Sequence, residues 1–182
     1  MAFLRARCAT TLYGVACYES LLPYACVFQT SHVKLARAAT DVNAASLRRI
    51  SKRVKEIIAA HGGGGGAGGG SITGGEMAAL RDCASTLSSA AGLAKQSAAE
   101  LAKLDAAGAA ADRSKIRWAI SNTQTWLSAS MTNEATCSDG LALSGATASA
   151  SLTVRQVAIG VVSAKEHTSI ALALVNGIPV PS

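Results

Sequence analysis

The side chains with the most chemical potential in this 182-residue chain are its cysteines: Cys8, Cys17, Cys26, Cys83 and Cys137. No two of them form a C-x-x-C pair. The three histidines, His32, His61 and His167, do not stand at zinc-ligand spacing from them, so no metal site is expected. The economical reading is two disulfides and one leftover thiol, which places the chain in an oxidising compartment. Spacing alone leaves open five reduced thiols in a cytosolic bundle. No G-x-S-x-G motif and no standout acidic pair is present, so a hydrolase is not indicated. A G-x-G-x-x-G match lies inside the stretch 61–75, but it follows a helical pattern rather than a strand, and phosphate binding is not expected.

Aromatic residues make up 4% of the chain, and many apolar positions are alanine. Alanine favours helices and disfavours strands, which argues against a β-sandwich or barrel. The length suits one domain, 1–182, with a full hydrophobic core. No uninterrupted apolar run is long enough for a membrane span, and MAFLRARC at the start lacks an apolar signal region. The expectation is therefore no membrane association and no signal peptide within this sequence.

Apolar spacing predicts four helices. Over 33–60 the stripe is Leu35, Ala39, Val42, Ser46, Ile50, Val54 and Ile57, with Arg48, Arg49, Lys52, Arg53 and Lys55 on the other face. The stretch 61–75 holds most of the 17 glycines and reads as a loop. Thr73 three residues before Glu76 is a capping-box signature for a helix over 76–107, which Gly108 stops. A third helix is predicted over 112–137, with Ile116, Ile120, Thr123, Leu127 and Met131 inward, followed by a loop at 138–147. The fourth spans 149–176 and ends at Asn176, Gly177 and Pro179.

Four long amphipathic helices describe an all-α, antiparallel four-helix bundle. Residues 3–30 are left as a compact helical appendage. In the antiparallel arrangement Cys83, early in the second helix, neighbours Cys137 at the end of the third. A bridge there would contribute about 4 kcal/mol, and a Cys8–Cys17 bridge about 2.5–3 kcal/mol, in the chain-entropy model. Cys26 then has no partner and is expected to be a buried free thiol. Trp118 and Trp126 are expected to pack within the core or between helices.

Several segments resemble one known family. They are Cys8-Ala-Thr-Thr-Leu-Tyr-Gly-Val-Ala-Cys17 with Tyr18-Glu-Ser-Leu, Ala79-Leu-Arg-Asp-Cys83, the run from Trp118 to Gly140, and Leu172-Ala-Leu-Val-Asn176. Together they resemble the plant invertase and pectin methylesterase inhibitor family, and look more like its pectin methylesterase inhibitors. The resemblance implies an N-terminal helical hairpin and disulfides Cys8–Cys17 and Cys83–Cys137. It implies a secreted, extracellular protein of the plant cell wall, with no enzyme activity and no cofactor. Its partner would be a pectin methylesterase, bound one to one across the substrate cleft; the alternative within the family is an invertase. By motif match the contacts would be Ser128, Ser130, Thr132, Asn133, Glu134 and Thr136 on the third helix, with Ser85, Ser88 and Ser89 on the second. Relatives fused to a catalytic domain exist, and none is expected in this sequence. Gly14 stands where many relatives have proline, which would loosen the hairpin turn. The glycine stretch is longer than usual, and Cys26 is extra.

The formal net charge of +6 suits attraction to anionic pectin, through Lys52, Arg53 and Lys55 on a solvated face. Nucleic acid is a poor alternative, because no groove-reading motif or aromatic–basic platform appears.

Overall fold

The computed structural model describes residues 1–61, 72–144 and 151–181. Residues 62–71 of the predicted glycine-rich loop 61–75 and residues 145–147 of the predicted loop 138–147 lie outside the described residues, while His61, Gly74 and Gly75 are helical.

The chain opens with two short helices, α1 (Ala2–Cys8) and α2 (Gly14–Leu21). A 3-10 turn over Leu22–Tyr24 and one helical turn, α3 (Ala25–Phe28), complete the hairpin region. The long helices are α4 (His32–His61), α5 (Gly74–Ala107), α6 (Arg113–Leu143) and α7 (Leu152–Asn176), and no strand occurs among the described residues. α5 packs along α4 and α6, and α7 closes the square against α4 and α6, giving the antiparallel four-helix bundle.

Local chemistry sets the helix starts. Thr73 Oγ1 accepts the Glu76 N–H at 3.2 Å, and the Glu76 carboxylate accepts the Thr73 N–H at 2.7 Å, completing the capping box. Asp112 and Ser151 cap α6 and α7 by accepting from the Lys115 and Val154 amides. Gly108 ends α5 with φ of +50°, a backbone state that glycine adopts without the Cβ penalty.

Two disulfides form as expected, Cys8–Cys17 and Cys83–Cys137, with Cα–Cα distances of 5.5 and 4.5 Å. All four cysteines are buried. A Cβ on Gly14 would stand 3.2 Å from the Cys8 carbonyl oxygen. Glycine there lets α2 begin close against the end of α1, so it serves the hairpin's tightness rather than loosening its turn.

Three expectations need correction. α6 runs on through Leu143, so residues 138–143 are helix and not loop. Leu141 continues the inward stripe after Cys137 and is fully buried, and that packing outweighs the helix penalty of Gly140. Cys26 is exposed rather than buried; Phe28 is the inward residue of α3. Trp118 is 68% exposed, and the adjacent Ala119 takes the core position instead.

The core divides into two apolar clusters. One gathers the C-terminal half of α4, the N-terminal halves of α5 and α7, and Cys137 and Leu141 of α6. The other gathers the hairpin (Leu4, Cys8, Cys17, Leu21, Phe28) with Leu35, Leu101, Leu127, Ile170 and Leu174. Between them every long helix contributes a fully buried polar side chain: Asn43, Ser97, Ser130, Glu134 and Thr168. α7 is long and apolar enough to cross a bilayer by length and composition. Much of that apolarity, including Val154, Val157, Val161, Ile170 and Leu174, is buried against the other helices.

Candidate functional site

The residues expected to make contacts lie along α5 and α6, and the structure sorts them. Two tie points fix the register of these helices. One is the Cys83–Cys137 disulfide, and the other is the Ser130 hydroxyl donating to the Ala90 carbonyl at 3.2 Å. Ser88 therefore stands level with Thr132, and Ser85 close to the level of Thr136.

Ser128, Thr132 and Thr136 are four residues apart on α6 and exposed, so they form one outward row. Each threonine hydroxyl in this row donates to the carbonyl four residues back: Thr132 to Ser128 at 3.2 Å, and Thr136 to Thr132 at 3.0 Å. The Asn133 amide likewise donates to the Ala129 carbonyl at 2.9 Å. These bonds spend the threonine donors on the helix's own backbone and leave the Asn133 amide one N–H. The row presents oxygen lone pairs and methyl groups in fixed rotamers, which limits the entropy lost when a partner docks.

On α5, Ser85, Ser88 and Ser89 are all exposed. Lys55 of α4 donates to Ser88 Oγ at 3.5 Å, so Ser88 leans toward α4. At about 100° per residue, Ser89 then leans the other way, toward α6. By the same rotation Asn133 and Thr136 lean toward α5, since Gln124 marks the α7 side by donating to Asn176 at 2.7 Å. Helical rotation thus puts Ser89, Asn133 and Thr136 on the flanks of α5 and α6 that border their shared groove, with Ser85 beside Ser89, within two turns of the disulfide.

Ser130 and Glu134 are not part of it. Both are 0% exposed and belong to the polar layer of the core, so they are corrected from contact residues to interior ones. Helical spacing explains the difference. They continue the inward stripe Thr123, Leu127, Cys137 and Leu141, although their polarity reads as surface in sequence. Glu134 Oε1 lies 2.9 Å from Ser130 Oγ and 2.7 Å from Thr168 Oγ1, and Thr168 is also 2.9 Å from Asn43 Oδ1. The single Thr168 hydroxyl proton faces three acceptors, including the Ala164 carbonyl at 3.2 Å. Burial raises the Glu134 pKa above the ordinary glutamate value, outweighing the hydrogen bonds from Thr168 and Ser130 and the field of Lys165.

Two residues outside the expected set border the groove. Lys55 reaches Ser88 from α4. Asp82 is exposed on the same side of α5 as Ser89, beside Cys83. Its position directly before a bridged cysteine was the available signal. The groove holds no nucleophile paired with a base. No group of three or more metal-ligating side chains occurs among the described residues. What the arrangement offers is recognition: a rigid ridge-and-groove surface of hydroxyls, an amide and one carboxylate.

The family profile described as "Plant invertase/pectin methylesterase inhibitor" matches residues 2–174. The chain is similar to pectinesterase inhibitor 10 of Arabidopsis thaliana, 34% identical over 96% of this chain and 50% of that protein. It is also similar to a 21 kDa protein of Daucus carota, 29% identical over 96% of this chain and 82% of that one. The chain thus spans about half the length of the first relative and most of the second. Among solved structures, the crystal structure of mutant form A of a pectin methylesterase inhibitor from Arabidopsis superposes with a TM-score of 0.68. It shares 21% identity and covers 96% of this chain and 95% of its own, which shows a common fold.

Proposed function

The chain belongs to the plant invertase/pectin methylesterase inhibitor family, and from that premise we propose that it inhibits a plant pectin methylesterase by binding one to one across the substrate cleft. The observation that carries this is the α5–α6 groove. Ser89, Asn133 and Thr136 border it, with Ser85 beside Ser89, and the Cys83–Cys137 bridge ties its two helices together. A cleft built for a polysaccharide is lined with groups that hydrogen-bond hydroxyls. A helical surface of fixed hydroxyl and amide groups answers it without chemistry of its own.

The contact set in this reading is Thr136, Asn133, Thr132, Ser128, Ser85, Ser88 and Ser89, with Asp82 and Lys55 at its border. Residues 1–182 act as one inhibitor domain. Two disulfides support an oxidising, extracellular setting in the cell wall. There the net positive charge favours residence near anionic pectin.

Titration of a plant pectin methylesterase with this protein tests the reading. Activity should fall to a plateau at one equivalent of inhibitor. Replacing Thr136 and Asn133 together by tryptophan should weaken inhibition by about ten-fold or more, equivalent to about 1.4 kcal/mol. Unchanged inhibition by a variant with a native circular dichroism spectrum would show that the groove is not the contact. Inhibition of an invertase with the methylesterase untouched would move the target to the other branch of the family.

A further inference from the structure

Trp118 is the large aromatic side chain that the bundle leaves most open, at 68% exposure. Along the axis of α6 it stands about 27 Å from Thr136, at the opposite end from the α5–α6 groove. It shares an open depression of about 490 Å³ with Arg113, Ser114, Arg117 and Ser121, all exposed. Neither guanidinium pairs with a carboxylate among the described residues; the ion pair at this end joins Lys115 to Asp112 at 3.6 Å. The indole makes no aromatic or cation–π contact among the described residues.

Stability does not account for this grouping. Two unpaired arginines near the positive end of a helix are disfavoured by its dipole. An indole in water forfeits the burial energy a tryptophan can supply. The three side chains do share one chemistry. The indole face stacks on the C–H face of a pyranose ring. Arg113 and Arg117, one turn apart and about 6 Å along the axis, each offer a planar fork to a carboxylate. Ser114 and Ser121 add hydrogen-bonding groups for ring hydroxyls. The solvated cations of α4 have no aromatic among them, which sets the two basic regions apart.

We propose that Trp118, Arg113 and Arg117 form a docking surface for an acidic polysaccharide, a run of uronic-acid sugars with free carboxylates. This surface is separate from the groove proposed for enzyme inhibition. It would hold the protein on de-esterified stretches of the wall polymer while the other end of the bundle remains available. The ligand class rests in part on the inhibitor reading, and the test keeps the two apart.

The full chain is titrated with a de-esterified oligogalacturonide, a fully methyl-esterified oligomer of the same length and a single-stranded DNA of matched charge. Binding is read by tryptophan fluorescence and calorimetry. The de-esterified oligomer should bind at least ten-fold more tightly than the other two. Trp118→Ala, and Arg113→Gln with Arg117→Gln, should each cost ten-fold or more with a native circular dichroism spectrum. The same variants should inhibit pectin methylesterase to within two-fold of the parent, whether or not the parent inhibits strongly. Absence of binding to the de-esterified oligomer overturns the proposal. Equal binding of DNA overturns it, as does loss in the arginine variant with none in Trp118→Ala, because either result describes plain charge attraction. Unfolding of Trp118→Ala contradicts the exposure from which the argument starts.

Discussion

Two glutamates are buried in this bundle, and their surroundings drive them in opposite directions. Glu76 sits at the first turn of α5 and is 3% exposed. One carboxylate oxygen accepts the Thr73 N–H at 2.7 Å, and the other accepts the Ser151 N–H at 2.8 Å. It therefore joins the capping residues of two helices, α5 and α7, and these backbone donors hold its pKa below the ordinary value despite burial. Glu134 sits at the waist, among hydroxyls that already have acceptors, and burial raises its pKa. The same side chain thus has its pKa lowered at one site and raised at the other. The number of committed N–H donors decides which.

The signs of their pH effects follow. Glu76 binds a proton more readily in the unfolded chain. Its contribution is present above the ordinary glutamate pKa and is lost as pH falls through the depressed folded value. Glu134 binds a proton more readily in the folded chain. Its contribution is complete below the ordinary value and is lost as pH rises through the raised folded value.

The comparison can be tested hard at the clasp. Glu76→Ala removes a capping partner from two helices and should cost about 3 kcal/mol in urea unfolding. A loss below about 1 kcal/mol would mean that the two helix starts do not depend on it. A smaller effect is expected at the waist. Thr168→Val takes away the hydroxyl shared by Asn43 and Glu134 and should cost about 1–2 kcal/mol. Combining it with Glu134→Gln should give a non-additive result, because the two side chains are in direct contact. The smallest change is Glu134→Gln alone. In acid it should match the parent, since both carry a neutral group. As pH rises above the ordinary glutamate value the parent should lose thermal stability that the variant keeps. Parallel profiles for the two would show that the fold does not raise the Glu134 pKa.

Much of this molecule was legible in its sequence. Apolar spacing located the four long helices, with the end of α6 placed six residues short, Thr73 and Glu76 marked the start of α5, and antiparallel packing put Cys83 beside Cys137. Of the residues proposed for contact, Ser85, Ser89 and Thr136 are exposed and Asn133 is half-buried, on neighbouring helices. The misplaced side chains of α6 share one cause. In α6 the larger apolar residues Ile116, Ile120 and Met131 are half-buried, whereas Ala119, Ser130 and Glu134 face inward. A stripe drawn through the biggest side chains is rotated from the one that packs.

Sequence by itself determined the helices, their caps and the family, because these depend on local spacing and on residue types at fixed intervals. Tertiary structure decided the phase of α6. With it came the burial of Ser130 and Glu134, the exposure of Trp118 and the extension of the helix through Leu141. Asn43 and Thr168 on other helices receive the polar side chains of α6. A buried carboxyl is tolerable where such partners wait for it, and no pattern within α6 records their presence.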